Sequence, residues 1–435
     1  MKTTRRHFLK LSSAALAAPI IIPRHVLADG DSPGANDRIG VAGIGVGRQG
    51  AEVFHGTCGL PLGRAVCVAD VYLPRAQNEA KKAGLTEADA YQDYRRVLER
   101  KDVDAVISAT PEHWRSLTCI HAAQAGKHIY AEKPMSLTVA EGRMMVAAAR
   151  KYGVVFQTGS QQRSQRENAI GCEFIQNGGL GEIMEVIAAN YESPWLCALP
   201  EAPVPEGLDW EMWCGPTQPT PFHPELFTPR GNPGWLSFRA YSGGEMTGWG
   251  THGLDQIQLA LGMQETGPVE ILVTGERLEP PTYDAPESAA RGNNLCKNPR
   301  LAFRYENGIT VKLGDETGRE SNRGGAIFVG TEGRMEIFRG NITSNPPEIA
   351  ETLLKESPIR NRNHYLNWLE CIKTGETPIS DVEFGHRTAS LCHILNIARY
   401  VGRSLKWDPE AERFLDDDEA NSMLIREHRA GYELR

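Results

Sequence analysis

Short apolar runs alternate with amphipathic stretches through the first third of the chain. Uninterrupted apolar runs are typical of parallel strands that are buried on both faces. They predict strands at residues 39–44, 65–69, 103–109, 128–131 and 154–158. Apolar residues at helical spacing predict helices at residues 74–83, 91–100, 116–125 and 139–152, the last of them capped by Ser136. This alternation predicts an α/β domain with a doubly wound parallel sheet.

The pattern changes after residue 158, where short strands follow one another with few helices between them. Strands are predicted at residues 183–191, 269–277, 301–305, 310–313, 326–329 and 335–338. Asn307 and Gly308 form a hairpin turn signal, and the succession favours a large, mostly antiparallel sheet. Two helices, at residues 361–374 and 383–403, are expected to return and pack on the first domain.

A proline-rich stretch at residues 195–233 interrupts this second half. It carries Trp210, Trp213 and Phe222. Long loops with aromatic side chains often shape binding sites, and aromatic faces suit the C–H surfaces of sugars. Structural packing is the alternative for each of these side chains.

Residues 1–28 have the pattern of a twin-arginine signal peptide. Arg5 and Arg6 precede an apolar stretch, and residues 26–28 resemble a cleavage site. The apolar stretch is too short to span a membrane and contains Pro19. The pattern predicts export of a folded protein to the periplasm or an equivalent compartment.

The charge balance limits the partners of the mature chain. The formal net charge of the whole chain is −8. The first 28 residues contain basic but no acidic side chains, so their removal leaves a mature chain with a net charge of about −13. Such a surface argues against nucleic acid or an anionic membrane as partner. The nine cysteines lack the paired spacing of a disulfide framework or a zinc site.

A glycine-rich loop follows the first predicted strand. The sequence Gly45-Val46-Gly47-Arg48-Gln49-Gly50 combines a tight turn, a close approach of backbone to pyrophosphate and a helix start that faces the phosphates. Asp70 ends the second predicted strand, where an acceptor for the adenosine ribose hydroxyls is expected. These residues predict dinucleotide binding within residues 37–157. Asp70 favours NAD, because it would repel a 2′-phosphate, while Arg75 leaves NADP possible.

Candidate chemistry lies at the end of the strand 128–131, in Glu132-Lys133-Pro134. A lysine at the carboxyl end of such a strand sits where open α/β sheets bind ligands. Its amine can transfer protons if its surroundings adjust its pKa. The alternative is a solvated lysine at the strand end.

A second candidate lies in the stretch 243–255. His252 opens a predicted helix that ends at residue 261, and Asp255 lies three residues on, on the same helix face. Asp255 could orient the histidine ring or hold a substrate hydroxyl. Two possible ligands, with no third at ligand spacing, argue against a metal site, and none is predicted.

Taken together, these motifs resemble the Gfo/Idh/MocA family of NAD(P)-dependent sugar oxidoreductases. The resemblance includes Thr110-Pro111-Glu112-His113-Trp114, Thr158-Gly159-Ser160-Gln161-Gln162-Arg163, and the segments 243–244 and 249–255. It implies a Rossmann domain at residues 37–157 and a substrate-binding and oligomerisation domain at residues 158–415. It also implies that Thr110, Pro111, His113, Glu132 and Lys133 line the cofactor site.

The resemblance further implies a carbohydrate substrate held against the nicotinamide, with Lys133 often taking part in proton transfer. Two positions depart from the family. Gly248 stands where many relatives carry an aspartate four residues before the histidine, and Arg115 stands where many carry a histidine. Lys133 and His252 would then carry the proton transfers, with Glu245 as a further candidate.

The sequence is compatible with three functions. The first is an exported oxidoreductase that passes hydride from a sugar to tightly bound nicotinamide. The second is a redox-neutral glycoside hydrolase or lyase that oxidises the sugar transiently, because an exported enzyme meets no evident pool of free cofactor. The third is a binding protein without catalysis.

Self-association into a homo-oligomer is expected from the family's exposed sheet face.

Overall fold

The computed structural model describes Gly34 and residues 37–228, 233–285, 294–314 and 324–434. The predicted signal peptide at residues 1–28 therefore lies outside the described residues. Among the helices of the described part, none is long and apolar enough to cross a membrane.

The first domain is built on a six-stranded parallel sheet in the order β3-β2-β1-β4-β5-β6. Its strands are β1 (Ile39–Ile44), β2 (Gly63–Ala69), β3 (Ala90–Tyr91), β4 (Ala105–Ser108), β5 (His128–Ala131) and β6 (Phe156–Thr158). Its helices are α1 (Arg48–Cys58), α2 (Leu73–Lys82), α3 (Arg95–Leu98), α4 (Glu112–Gln124) and α5 (Val139–Tyr152). The strand order reverses between β1 and β4, and this is where such sheets bind dinucleotides.

Three local predictions in this domain were wrong. Residues 91–100 form the edge strand β3 and a single turn, α3, because Ala90 pairs with Val68 of β2. Helix α4 begins one turn early, directly after Pro111, whose fixed φ suits a helix start. Helix α5 is capped by Thr138, whose hydroxyl accepts the amide of Glu141, and not by Ser136.

The second domain contains a nine-stranded sheet in the order β15-β14-β13-β7-β12-β11-β9-β16-β17. Strands β7 and β12 pair in parallel and the other neighbours are antiparallel, which confirms the predicted fold class. The strands are β7 (Ile183–Ala189), β9 (Glu270–Thr274), β11 (Arg300–Arg304), β12 (Thr310–Gly314), β13 (Ala326–Gly330), β14 (Gly333–Phe338), β15 (Asn341–Asn345), β16 (Leu405–Asp408) and β17 (Arg413–Phe414).

The turn at Asn307 and Gly308 joins β11 to β12 as predicted, with Gly308 at a φ of 87°. A separate two-stranded sheet pairs β8 (Leu196–Cys197) with β10 (Thr282–Tyr283). The remaining α-helices are α6 (Arg166–Gln176), α7 (Trp210–Cys214), α8 (Pro224–Phe227), α9 (Glu245–Gly248), α10 (Gly250–Ala260), α11 (Pro347–Glu356), α12 (His364–Thr374), α13 (Val382–Val401) and α14 (Asp418–Ser422).

Two helices of the second half pack on the first domain. Trp368 of α12 is fully buried, and its ring lies 5.7 Å from that of Tyr130 in β5. Helix α13 packs against α5 of the first domain and against α10 of the second. The C-terminal helices therefore fix the second domain over the carboxyl edge of the parallel sheet.

Candidate active site

The glycine loop between β1 and α1 has the geometry that phosphate binding requires. Gly45 has a φ of +77°, and a Cβ there would meet the Thr110 amide nitrogen at 2.9 Å. A Cβ on Gly50 would lie 2.0 Å from the Gly45 carbonyl oxygen, so only glycine lets α1 pack this closely. A Cβ on Gly47 would meet only the end of Arg75, at 4.0 Å, so its backbone faces open space. The loop can therefore admit a pyrophosphate.

A cleft between the two domains begins at this loop. From the first domain it is lined by predicted cofactor residues, namely Gly45, Gly47, Arg48, Gln49, Gly50, Asp70, Thr110 and Pro111. The second domain closes it with Met212, Trp213, Phe227 and Trp235. Part of the aromatic stretch 195–233 therefore does line the predicted cofactor site, whereas Trp210 stacks on Trp213 at 4.4 Å and supports the wall.

Asp70 lies at the carboxyl end of β2, where the ribose acceptor was predicted. Its carboxylate accepts the amide of Tyr72 at 3.0 Å and faces the Arg75 guanidinium at 3.3 Å. Burial raises the pKa of Asp70, while Arg75 and the Tyr72 amide act in the opposite direction. Arg75 in turn lies over the rings of Tyr72 and Phe227. The carboxylate is thus held in place at the rim of the cleft.

We expect Asp70→Ala to weaken NAD binding about ten- to a hundredfold, because a hydrogen bond to a charged group contributes about 1.5–3 kcal/mol. The preference for NAD over NADP should narrow, since Arg75 is released and the carboxylate no longer opposes a 2′-phosphate. Quenching of tryptophan fluorescence in cofactor-stripped protein measures both affinities. Asp93→Ala, at an exposed aspartate that pairs with Arg95, is the control. Unchanged NAD affinity in the Asp70 variant would contradict the assignment.

His113 lies behind the wall of the cleft and does not line it. Its Nε2 donates to the Trp213 carbonyl at 2.9 Å, and its ring lies against those of Trp213 and Tyr241. Burial lowers the pKa of His113 to about 4, so the ring is neutral at pH 7. It supports Trp213, which does line the cleft, and we assign it that indirect role instead of cofactor contact.

Glu132 is buried beside the predicted lysine. Its carboxylate accepts Gln161 Nε2 at 2.9 Å and the Lys133 amide at 3.1 Å, and burial raises its pKa. A Cβ on Gly159 would lie 3.0 Å from the same carboxylate, so Gly159 leaves room for it. Glu132 therefore fixes the backbone from which Lys133 extends.

Lys133 joins the two domains at the candidate catalytic position. Its Nζ donates to the Gly248 carbonyl at 3.1 Å. Gly248 ends α9, and His252 follows four residues later in the first turn of α10. The structure therefore brings Lys133 to the end of the helix that directly precedes the one carrying His252. It also shows that the lysine contacts a carbonyl at the position where relatives often carry a carboxylate.

The described hydrogen bonds of the Asp255 carboxylate are with Arg163 and Thr388, and not with the predicted partner His252. Arg163 donates from Nε and Nη2 to both carboxylate oxygens, at 2.7–3.0 Å, and Thr388 donates at 3.1 Å. Both members of the ion pair are buried, with side-chain exposures of 2% and 3%. The geometry favours a positioning role for Asp255, in which the pair fixes α10 and thereby His252, over the predicted contact with substrate.

Arg115, the other departure from the family, is a buried clamp. Its guanidinium donates to the carbonyls of Thr110 and Pro134, and burial lowers its pKa. It therefore ties the Thr-Pro loop of the cofactor cleft to the loop that carries Lys133. A lone arginine in an amphipathic pattern gives no sign of this partnership, which depends on two loops meeting in space.

Sequence reasoning also missed Glu112 as an anchor between the domains. The fully buried carboxyl group accepts Ser242 Oγ at 2.6 Å, the Gly243 amide at 3.0 Å and Thr247 Oγ1 at 3.2 Å. Burial raises its pKa to about 7. An acidic residue directly after Pro111, facing a glycine pair, was the available signal.

This raised pKa predicts a stability change with pH. The unfolded chain exposes Glu112 with a pKa near 4.5, so the protonated group favours the folded state. The stabilisation of the folded state by protonated Glu112 is fully present below about pH 4.5. It is lost as the pH rises through about 7. In Glu112→Gln, which cannot ionise, the free energy of unfolding should decline less between pH 5 and pH 7.5 than in the parent. Urea unfolding at both pH values measures the difference, and parallel declines would contradict the assignment.

The sheet order, the glycine loop and the lysine at the carboxyl edge define a dinucleotide-binding α/β enzyme with a second, sheet-based domain. The chain belongs to the Gfo/Idh/MocA oxidoreductase family. Residues 38–160 match the model of the family's NAD-binding Rossmann fold, and residues 182–434 match that of its C-terminal α/β domain. Its cofactor is NAD. Among the described residues, no group of three metal-ligating side chains is found.

Similar proteins of known name include enzymes of two kinds. A glycosyl hydrolase family 109 protein from Shewanella sp. (strain ANA-3) is 28% identical over 216 residues, which are 44% of this chain and 47% of the relative. Myo-inositol 2-dehydrogenase from Thermotoga maritima is 31% identical over 145 residues, 33% of this chain and 42% of the relative. The matches thus span half the length of these relatives or less.

A solved structure confirms the fold over most of the chain. The aldose-aldose oxidoreductase from Caulobacter crescentus superposes with a TM-score of 0.57 and 19% sequence identity. The superposition covers 85% of this chain and 99% of the other. At this identity the comparison shows the architecture of both domains and not the substrate.

Proposed function

We propose that the protein is an exported NAD-dependent oxidoreductase that acts on a hydroxyl group of a sugar or sugar derivative and retains its nicotinamide. The observation that carries this proposal is the contact of Lys133 Nζ with the Gly248 carbonyl, four residues before His252. This contact supports a site in which Lys133 and His252 transfer protons near the carboxyl edge of the dinucleotide-binding sheet. The myo-inositol 2-dehydrogenase among the relatives supports a sugar or sugar-like polyhydroxylated substrate.

The cofactor and the side chains of the site have separate tasks in this reaction. NAD, when bound along the glycine loop and Asp70, supplies the hydride acceptor. Oxidising an alcohol also requires that the hydroxyl proton be removed, and we assign this role to Lys133 or His252. Glu132, Arg115 and the pair of Arg163 with Asp255 hold these groups still, so that a hydroxyl meets the base at hydrogen-bonding distance.

A redox-neutral reaction is the second candidate, and the similarity to glycosyl hydrolase family 109 proteins favours it. Transient oxidation of a sugar hydroxyl acidifies the neighbouring C–H bond. A base can then remove that proton while an acid protonates the departing aglycone, after which water adds and the hydride returns. His252 and Lys133 could share these roles. The predicted export supports both candidates, because neither needs a free cofactor pool. The redox-neutral enzyme returns the hydride to its own sugar intermediate, and the oxidoreductase passes it to a second sugar as acceptor.

An assay on purified protein that retains its nicotinamide distinguishes the two reactions. It is mixed with a panel of free sugars and aryl glycosides while bound-cofactor absorbance and products are followed. A stable shift to reduced cofactor with a keto-sugar product identifies the oxidoreductase. Release of aglycone with the cofactor unchanged at the end identifies the redox-neutral enzyme. Retained cofactor without turnover of any sugar would reject both and favour a binding protein. The oligomeric state, which we expect to be a homo-oligomer, is measured on the same preparation.

A further inference from the structure

A second cavity lies apart from the cofactor cleft. Its volume is about 480 Å³, within the range of small-molecule sites, and none of its lining residues lines the cofactor cleft. One wall is the buried face of α13, including His393, Asn396 and Tyr400. The opposite walls come from the loop at Arg239 and from the C-terminal segment that ends in Arg426.

Two guanidinium groups share this cavity. Arg426 Nη1 donates to the backbone carbonyl of Arg239 at 2.6 Å, so the two residues are adjacent. The Arg239 guanidinium lies 4.2 Å from the centre of the Tyr400 ring. Within the described residues, neither guanidinium has a carboxylate at ion-pair distance. Burial and the positive charge of Arg239 lower the pKa of Arg426, whereas Tyr400, Glu141 and Glu112 act in the opposite direction.

The positive charges of Arg239 and Arg426 repel each other across this cavity. Like charges repel more strongly as they are removed from bulk solvent, and a counter-charge between them relieves the repulsion. The fork of a guanidinium matches the two oxygens of a carboxylate or a phosphate group. Apolar side chains complete the rim, and two of them, Leu196 and Ile425, are 42% and 54% exposed.

We propose that this cavity binds a small organic oxyanion, a carboxylate or a phosphate ester, with its charged group between Arg239 and Arg426. The Tyr400 hydroxyl adds a hydrogen-bond donor, and Leu196 and Ile425 cover the uncharged part of the ligand. The proposal does not depend on the reaction assigned above, because it concerns binding at a separate site.

The cavity wall is connected to both candidate catalytic segments. His393 Nε2 donates to the carbonyl of Ser136, three residues after Lys133. Asn396 Nδ2 donates to the carbonyl of Gly243, whose amide is held by Glu112. A ligand resting on this face of α13 contacts the helix that holds both segments, so binding should also alter turnover.

The test uses full-length protein saturated with NAD, which blocks the phosphate-binding glycine loop. The probes are inorganic phosphate, glucose 6-phosphate, glucuronate and neutral glucose, compared at equal ionic strength to remove general screening. We expect saturable binding of at least one anionic probe by titration calorimetry. The probe that binds shows whether the charged group of the ligand is a phosphate or a carboxylate. Absence of saturable binding by every anionic probe would overturn the proposal.

Variants locate the site. Arg239→Gln and Arg426→Gln should each weaken binding of that probe at least about tenfold, because each removes a charge-assisted contact. Arg403→Gln, at an exposed arginine paired with Asp417, should leave binding unchanged. Because Arg426 also supports the backbone at Arg239, Tyr400→Phe provides a milder variant, with a smaller loss of affinity expected. Equal affinity in the parent and both arginine variants would place the anion elsewhere and reject the site.

Discussion

Lys133→Ala is expected to abolish turnover while NAD remains bound. General acid–base groups contribute about 10²–10⁴-fold to the rate, so kcat should fall by that factor. The cofactor should stay bound because the glycine loop and Asp70 do not depend on the lysine side chain for their geometry. The measurement pairs kcat on the active substrate with the nicotinamide content of the purified variant.

The chain provides a matched control at the other end of the same strand. Lys127 precedes β5 as Lys133 follows it, and its Nζ also donates to backbone carbonyls, those of Arg100 and Val103. Lys127→Ala removes the same chemical group at the amino edge of the sheet, so it should retain turnover. Full activity of Lys133→Ala would reject the catalytic role. Equal losses in both variants would mean that the effect is structural.

His252 refines this prediction because two proton-transfer groups are proposed. If Lys133 and His252 act on one proton path, the double variant should lose little more activity than the worse single variant, since groups that act as a unit are not additive. Independent roles, such as one base and one acid, give losses that multiply.

The parallel sheet was predictable because its strands are buried on both faces and therefore appear as uninterrupted apolar runs. Strands β1 and β5 were predicted with their observed bounds. The edge strand β3 was not, because it contains two residues and pairs on one side only. Strands β15 to β17 were also missed, since such short, partly exposed segments leave little periodic pattern.

The candidate site was predictable where a motif determines its own surroundings. The glycine loop and Asp70 lie on consecutive elements of one unit, so local spacing indicated that they lie close together, and both line the cleft. The partner of Asp255 was not predictable in this way. Spacing on α10 suggested His252, but the buried cation that contacts the carboxylate, Arg163, comes from another part of the chain. The roles of Arg115 and Glu112 were not predicted for the same reason, because their hydrogen-bond partners belong to other loops.

The pair of Arg163 with Asp255 leads to the largest expected effect on stability. Asp255→Ala removes one partner and leaves a buried guanidinium without its carboxylate, which costs about 3–5 kcal/mol. The free energy of unfolding, measured in urea, should fall by that amount. Glu270→Ala breaks the exposed pair with Arg304 and should cost no more than about 1 kcal/mol.

A double variant separates a positioning role from direct catalysis. Arg163→Met with Asp255→Leu removes both charges, and it should recover much of the stability lost in Asp255→Ala, because no unpaired charge remains. If the pair only fixes α10, the folded double variant should also recover most of its kcat, since His252 regains a packed support. If Asp255 contacts substrate, stability will return while kcat stays low. That second outcome would restore the role that the sequence first suggested for Asp255.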